Sequence, residues 1–496
     1  MMKKIIIVGG GIAGLSAGIY AQQSGFDATI FEMNTIPGGN CTSWKREGYL
    51  FEGGMHWLTG SGKNQPLNKI WRELGALDDS VSVNNCDPFL TYDYNGTMVC
   101  LYRNVDKLEE HFLTVSPEDK KEISSLCKDI KRFSKMSMPV MDIKGVRVKE
   151  KSKMSISSLF TMLSVLPRLL ALGKLSPAEY CQRFKHPAIR TLLQNAVGAE
   201  YSASSIIFLL ACFASGDGGY PQGGSLGMAL RMAKKFENSG GKIKYKNRVE
   251  KVIVENAKAT GVIVNGEKIL ADSVIVTADT LSAIDNLFDE PLYEPWMEKM
   301  RKNSKLAMNT YIGLGVEADL SALPENLLFS LDEPFAYAGN EITTLGFHNY
   351  ATYKGYAPNG CTPLTILLVG DTYNYWKDLM LKGEYEKEKQ RIAAIAIDRI
   401  SHKVPQIKDR VKVIDVATPL TYERYCGTYH GSYMTIVGKG DKMITYQCKP
   451  ESIDCLYFAG QRMSTPGGLP IAVSTARSAV QYLCKDSNTV FQGNLR

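Results

Sequence analysis

At 496 residues the chain is too long for one ordinary hydrophobic core, so two domains, or one large domain with an insertion, are expected. A composition of 44% hydrophobic and 22% charged residues excludes a disordered chain and fits a globular enzyme. The net charge of +7 is modest, and with no nucleic-acid motif it gives no ground for a nucleic-acid partner.

The first elements are written in KKIIIVGGGIAGLSAGIYAQQSGFDATIFE. Residues 5–8 are a short apolar run of the kind that makes a strand buried on both faces of a parallel sheet. Gly9, Gly11 and Gly14 follow in GxGxxG spacing, and Ile12, Leu15 and Ile19 recur at helical intervals, so the turn opens into a helix. A second short strand at 28–31 ends in Glu32, where the dinucleotide-binding fold places an acid against a ribose hydroxyl. In this reading Gly9 makes the turn, Gly11 lets the backbone approach a pyrophosphate, and Gly14 lets helix and strand pack. The helix's unpaired N–H groups face the anion. A glycine-rich turn with no ligand is the alternative. Because Glu32 would repel a 2′-phosphate, FAD or NAD is expected rather than NADP. The start MMKKIIIV reads as mature structure, since glycines cut its apolar run before any cleavage pattern.

Next, NTIPGGNCTSWKREGYLFEGGMHWLTG reads as a long functional loop with a short strand near 49–51. A hairpin is expected over 88–103, turning at Asn95 and Gly96. From about 105 to 215 the pattern is mainly helical, with prolines, among them Pro167, Pro177 and Pro187, dividing it into separate helices. Residues 144–153 carry five Lys or Arg against one Glu, and an apolar stretch at 159–172 follows. It is too short, and too interrupted by Pro167 and Arg168, to span a bilayer. It reads either as a helix covering a core or, slightly favoured, as a segment lying on an anionic membrane surface. A helix from about Ser225 ends at Gly240 and Gly241. KIKY, VEKVIVE, TGVIV and KIL then read as an antiparallel meander before SVIVTAD rejoins a parallel sheet. Residues 286–410 alternate helical and strand-like signals.

Near the far end, CLYFAGQRMSTPGGLPIAVSTARSAVQYLCKD reads as a buried strand at 456–459, a turn at Pro466, Gly467 and Gly468, and a helix from about 471 to 484. Folded back on the first unit, this second helix N-terminus would stabilise negative charge on the N1–O2 edge of a reduced flavin. A closing β-α unit without ligand contact is the alternative.

GGGIAGLSAGIYAQQSG, FE and PGGN near the start, GGYPQGGSLGMAL, PLTYERYCGTYHGSYM, and FAGQRMSTPGGLPIAVSTARSA together resemble the family of bacterial phytoene desaturases, carotenoid isomerases and retinol saturases. These are FAD-dependent flavoproteins of the amine-oxidase-like superfamily, and the resemblance spans most of the chain. It implies an α/β fold: a discontinuous Rossmann-like FAD-binding domain with a parallel sheet and a β-meander, plus an α+β substrate-binding domain. The expected boundaries give 1–85, 216–285 and 411–496 to the first and 86–215 and 286–410 to the second. By the same resemblance Gly9, Gly11 and Gly14 hold the pyrophosphate, Glu32 the ribose, and Gly38 and Gly39 lie near the pyrophosphate. Val249 meets the adenine side through its backbone, and Gly460, Gly467, Gly468 and Leu469 line the ribityl and ring portion. Asn40 and Gln461 complete the expected cofactor set, standing where many relatives carry a basic residue and an acid.

The resemblance places FEGGMHW beside the flavin ring, making His56 the candidate proton donor and Glu52 its substitute. An isolated histidine that only holds structure is the alternative. Tyr422, Tyr425, Tyr429 and His430 either line a pocket for a flat polyene or form a packed aromatic patch. No metal cluster, P-loop or Ser-His-Asp spacing competes for the site. There is also no second dinucleotide fingerprint, so redox chemistry needs an external electron donor or acceptor. The expected activity is saturation, desaturation or isomerisation of an apolar unsaturated lipid, carotenoid or retinoid in type. An amine or amino-acid oxidase is the alternative enzyme, and a prenyl-binding protein like the GDP-dissociation inhibitors the alternative without chemistry. The 11 cysteines are scattered without a CxxC pair, so a reducing cytoplasm is expected, with peripheral contact at the inner face of a membrane as an option.

Overall fold

The computed structural model describes residues 2–137, 140–149 and 156–493. The fold is mixed α/β, built on two sheets. The first is a five-stranded parallel sheet in the order Leu456–Phe458, Ser273–Val276, Lys4–Val8, Asp27–Phe31 and Lys242–Lys244. Its central strand is buried from Ile5 to Val8, as a parallel strand covered on both faces requires. Helices Ile12–Gln23, Gly224–Asn238 and Leu469–Asp486 cover one face, where Leu15, Met232 and Val480 share a core. The other face meets an antiparallel meander of Val249–Glu255, Lys258–Val264 and Glu267–Leu270, with Ile6, Val8, Val252 and Val262 between them.

The meander has three strands rather than four. KIK leaves it because the helix Gly224–Asn238 acts as a crossover that sets Lys242–Lys244 down parallel to Asp27–Phe31.

The second sheet has seven strands, in the order Val411–Ala417, Asn309–Val316, Thr362–Val369, Asn340–Asn349, Asn326–Tyr337, Leu90–Tyr94 and Thr97–Leu101. Pairing is antiparallel except between Asn326–Tyr337 and Leu90–Tyr94. The last two strands form the expected hairpin, with Asn95 and Gly96 both at positive φ. Val411–Ala417 lies in this sheet, beyond the expected boundary at 410. Helices Tyr373–Leu381 and Tyr385–Lys403 pack one face through Trp376, Ile392 and Ile400.

Helices Val105–Val115, Lys120–Phe133, Ile156–Gly173, Pro187–Asn195 and Ser204–Ala214 share a separate apolar cluster. Pro177 and Pro187 each open a helix, where the missing N–H costs nothing. Pro167, expected to divide two helices, instead sits inside Ile156–Gly173. Buried Val165 and Leu172 anchor the helix on both sides of it, and Arg168 is tied to Asp129 at 2.7 Å, which offsets the lost backbone bond.

The seven-stranded sheet meets the hairpin of Ser43–Arg46 and Tyr49–Glu52 at glycines. A Cβ at Gly313 would stand 2.8 Å from the Phe51 ring, and one at Gly315 2.8 Å from the Tyr49 ring. Strand Tyr49–Glu52 is thereby pressed onto the seven-stranded sheet, which fixes the loop that follows it. Among the described residues no helix is long and apolar enough to cross a membrane.

Candidate functional site

A cavity of about 2350 Å³ runs between the two sheets. Its wall includes Gly9, Gly11, Glu32, Gly38, Gly39 and Val249, together with Asn40, Gly460, Gln461, Gly467, Gly468 and Leu469, and Glu52 and His56. Gly14 alone among the expected site residues stands off the wall. A Cβ there would lie 1.9 Å from the Gly9 carbonyl oxygen, so this glycine serves the packing of helix on strand. A Cβ at Gly11 would meet nothing nearer than 3.7 Å. The open space over Gly11 belongs to the cavity.

The glycine turn is held from outside. Glu32 is buried, and its carboxylate accepts from Gly10 N at 2.7 Å, Asn34 N at 2.8 Å and Asn34 Nδ2 at 3.0 Å. Gly38 N donates to Gly10 O at 2.9 Å, bringing the second glycine pair against the first. Helices Ile12–Gln23 and Leu469–Asp486 start at Gly11 and Gly468, and neither start has a side-chain cap. Two sets of unpaired N–H groups therefore open on one cavity, which suits a ligand with negative charge at two places. At the second helix Thr475 Oγ1 accepts from Gly460 N at 3.0 Å, locking the strand end to the helix.

These residues fit a bound dinucleotide cofactor. The cradle over Gly11 is one that a side chain would fill. Asn40 Oδ1 and Gln461 Oε1 are buried on the wall without a hydrogen-bond partner among the described residues. Both are acceptors suited to ligand N–H or O–H groups.

Glu52 is 1% exposed and heavily used. It accepts from Gly54 N at 3.0 Å, Met55 N at 3.3 Å, Ser43 Oγ at 3.2 Å, Ser225 N at 2.9 Å and the Tyr220 hydroxyl. These bonds hold the loop leading to His56 and the start of helix Gly224–Asn238, a positioning duty. His56 itself opens onto the cavity, and desolvation by the surrounding protein lowers its pKa, leaving a neutral imidazole at pH 7. His348 also lines the wall, with Nδ1 2.6 Å from Asn326 Oδ1; burial, and then neighbouring His56, push its pKa down to about 3.

Of the four aromatic candidates after residue 420, Tyr422 lines the cavity. Tyr429 and His430 instead stack on each other at 4.1 Å, with Tyr373 beyond His430 at 4.3 Å, and Tyr425 is exposed. Tyr422 and Tyr425 sit three residues apart on helix Pro419–Cys426, with Tyr422 buried and Tyr425 exposed.

Sequence reasoning missed wall residues, among them Arg462, Asp279 and Tyr311. Arg462 and Asp279 form an ion pair at 2.7 Å with both side chains 1% exposed; Arg462 Nη2 also reaches Ser432 O at 3.1 Å. Its signal was an arginine set in an otherwise apolar and small-residue strand-turn-helix. Tyr311 lies on Asn309–Val316, where every residue is buried, so no alternation marked the cavity face.

The wall also carries Phe133, Leu166, Leu169, Phe208, Phe213 and Phe347. Helix Ile156–Gly173 contributes Leu166, Leu169 and Leu170 to the wall and leaves Phe160 and Leu163 exposed off it. Of the basic cluster before it, Lys151 and Lys153 lie outside the described residues.

A parallel sheet with a glycine turn after its central strand, joined through one cavity to a mixed sheet, is an architecture in which a dinucleotide and a second ligand can meet. The family model described as flavin containing amine oxidoreductase matches residues 12–484, and the chain belongs to that family. Its relatives are distant. It is 25% identical to the chloroplastic prolycopene isomerase of Daucus carota over 95% of this chain and 78% of the relative. It is 23% identical to the lycopene-forming phytoene desaturase of a Paracoccus species over 98% of each chain. To the all-trans-retinol 13,14-reductase of Danio rerio it is 22% identical, over 86% of this chain and 76% of the relative. Among solved structures, an A394C mutant of putrescine oxidase matches 98% of this chain and 99% of its own with a TM-score of 0.63 at 14% identity, a likeness of fold.

Proposed function

We propose that this protein binds FAD and acts on a C=C bond, or the C–C bond beside it, in an extended apolar unsaturated lipid of carotenoid or retinoid type. The observation that carries this reading is the single cavity whose wall bears both the glycine cradle and many aromatic and aliphatic side chains. Its volume exceeds that of a pocket for one ordinary ligand, so cofactor and a long substrate fit end to end. The named activities of the relatives, on prolycopene, phytoene and retinol, support the same substrate class.

Gly9, Gly11, Gly38, Gly39 and the first helix N-terminus take the pyrophosphate, Glu32 the ribose, and Val249 the adenine side. Asn40, Gly460, Gln461, Gly467, Gly468 and Leu469 surround the ring. When bound, FAD supplies a centre that accepts or gives hydride. His56, open to the cavity, takes a proton from the substrate carbon as neutral imidazole in desaturation, or gives one as imidazolium, first protonated from solvent, in saturation; Glu52 keeps its loop in place. Helix Ile156–Gly173 rests on an anionic membrane through Phe160 and Leu163, and lipid enters beside it. Electrons come from or pass to an external partner unless the reaction is an isomerisation. The cofactor domain comprises 1–85, 216–285 and 411–496, less the strand Val411–Ala417, and the remainder is the substrate domain.

The test is to load the protein with FAD, photoreduce it without oxygen, and offer a panel of carotenoids and retinoids. Reoxidation of the flavin, or a change of polyene isomer, supports the reading. Polyenes left unchanged, with simple amines reducing the oxidised flavin, would transfer the protein to the amine oxidases.

A further inference from the structure

The wall of the cavity carries polar groups that a pure hydrocarbon would leave unanswered. Asn309 and Tyr311 are alternate residues of one strand and so face the same side of the sheet. Tyr422 joins Tyr311 in an apolar cluster with Tyr49, Phe51, Val413 and Ala417. All three line the cavity, with residue exposures of 7% for Asn309, 1% for Tyr311 and 8% for Tyr422. Asn309 Oδ1 and both tyrosine hydroxyls have no hydrogen-bond partner among the described residues. Burial raises both phenol pKa values, so each is a neutral O–H donor.

Two strands away His348 presents a fourth such group. Its Nδ1 is engaged with Asn326, and its Nε2 has no hydrogen-bond partner among the described residues. Register places His348 beside Thr365 and Thr365 beside Gly313, so His348 shares the face that bears Tyr311. Buried donors and acceptors left unpaired cost desolvation that a hydrocarbon ligand does not return.

We infer that Tyr311, Tyr422 and Asn309 form a polar subsite that receives an oxygen function, hydroxyl or carbonyl, carried at one end of the lipid substrate. The inference rests on the polyene-lipid reading and narrows it from hydrocarbons to oxygenated lipids. The two hydroxyls donate to the substrate oxygen, and Asn309 Oδ1 accepts from it when it is an alcohol. The rest of the chain lies along the apolar wall.

The experiment titrates flavin-loaded protein with all-trans-retinol and with the same polyene lacking the hydroxyl, following the perturbation of flavin absorbance. The alcohol is expected to bind roughly tenfold more tightly, the usual discrimination of one satisfied polar contact. Tyr311→Phe and Tyr422→Phe should each narrow that gap while affinity for the hydrocarbon and flavin content stay unchanged. Neither variant should lower the Tm, since neither hydroxyl has a protein partner to lose. Equal affinity for the two probes in the wild-type protein would overturn the subsite and leave the polyene reading standing. Flavin lost from either variant would give these hydroxyls to the cofactor and also overturn the subsite. If neither probe perturbs the flavin, both the polyene reading and the subsite fall.

Discussion

Gly14 lies so close to Gly9 that a Cβ on Gly14 would stand 1.9 Å from the Gly9 carbonyl oxygen, whereas Gly11 between them has room for one. The three glycines therefore do separable jobs. Gly14→Ala should lower stability by about 1–3 kcal/mol through overpacking. Gly11 has φ of −70°, which valine adopts without strain. Gly11→Val should thus fold with wild-type Tm and retain no FAD. Thermal unfolding of the apoproteins and flavin content of the purified variants check the pair.

Arg462 and Asp279 form a buried ion pair on the cavity wall. Removing one partner strands the other charge in protein, so Arg462→Met should destabilise by about 3–5 kcal/mol. The double variant Arg462→Met with Asp279→Leu should recover most of that loss. Urea unfolding of the single and double variants measures it; equal losses would mean the charges do not depend on one another.

His348 has its pKa held at about 3 in the folded chain, below the ordinary 6.5, by burial and by His56. A depressed histidine is neutral when folded and binds its proton when unfolded. Its contribution is therefore fully present above pH 6.5 and is lost as pH falls toward 3, at up to about 1.4 kcal/mol per pH unit. Comparing His348→Gln with wild type isolates this group: the wild-type protein should lose more stability between pH 6 and pH 4 than the variant does.

His56→Gln keeps the loop bonds that Glu52 makes and removes the titratable group facing the cavity. With flavin reduced beforehand and polyene added, single-turnover conversion should slow by about 10²–10⁴-fold, the range of general acid–base assistance. A wild-type rate would assign the proton to another group.

Phe160 and Leu163 are exposed on helix Ile156–Gly173. Replacing both by serine, or Lys149 by glutamate, should reduce co-sedimentation with vesicles of anionic phospholipid, without change in flavin content. Undiminished binding would turn this helix back into simple cavity cover.

The geometry of the glycine turns was legible because backbone requirements write themselves into residue type. Only glycine meets the packing at Gly14 and the positive φ of Gly9 and Gly38, so those positions stand out in the chain. Long-range partnership was not legible. Glu52 reads as a candidate acid until Ser43, Tyr220 and Ser225 converge on it from distant segments. KIK reads as a meander strand until the preceding helix carries it to the sheet edge. Tyr311 and Asn309 were hidden because their strand is buried along its whole length, which erases the alternation that would mark a cavity face.

The most direct measurement is the flavin stoichiometry of protein incubated with FAD and freed of excess, taken with and without a polyene. The account predicts one FAD per chain, and a flavin absorbance that shifts when polyene fills the rest of the cavity. Protein that stays colourless, or flavin whose absorbance ignores every polyene offered, would contradict it.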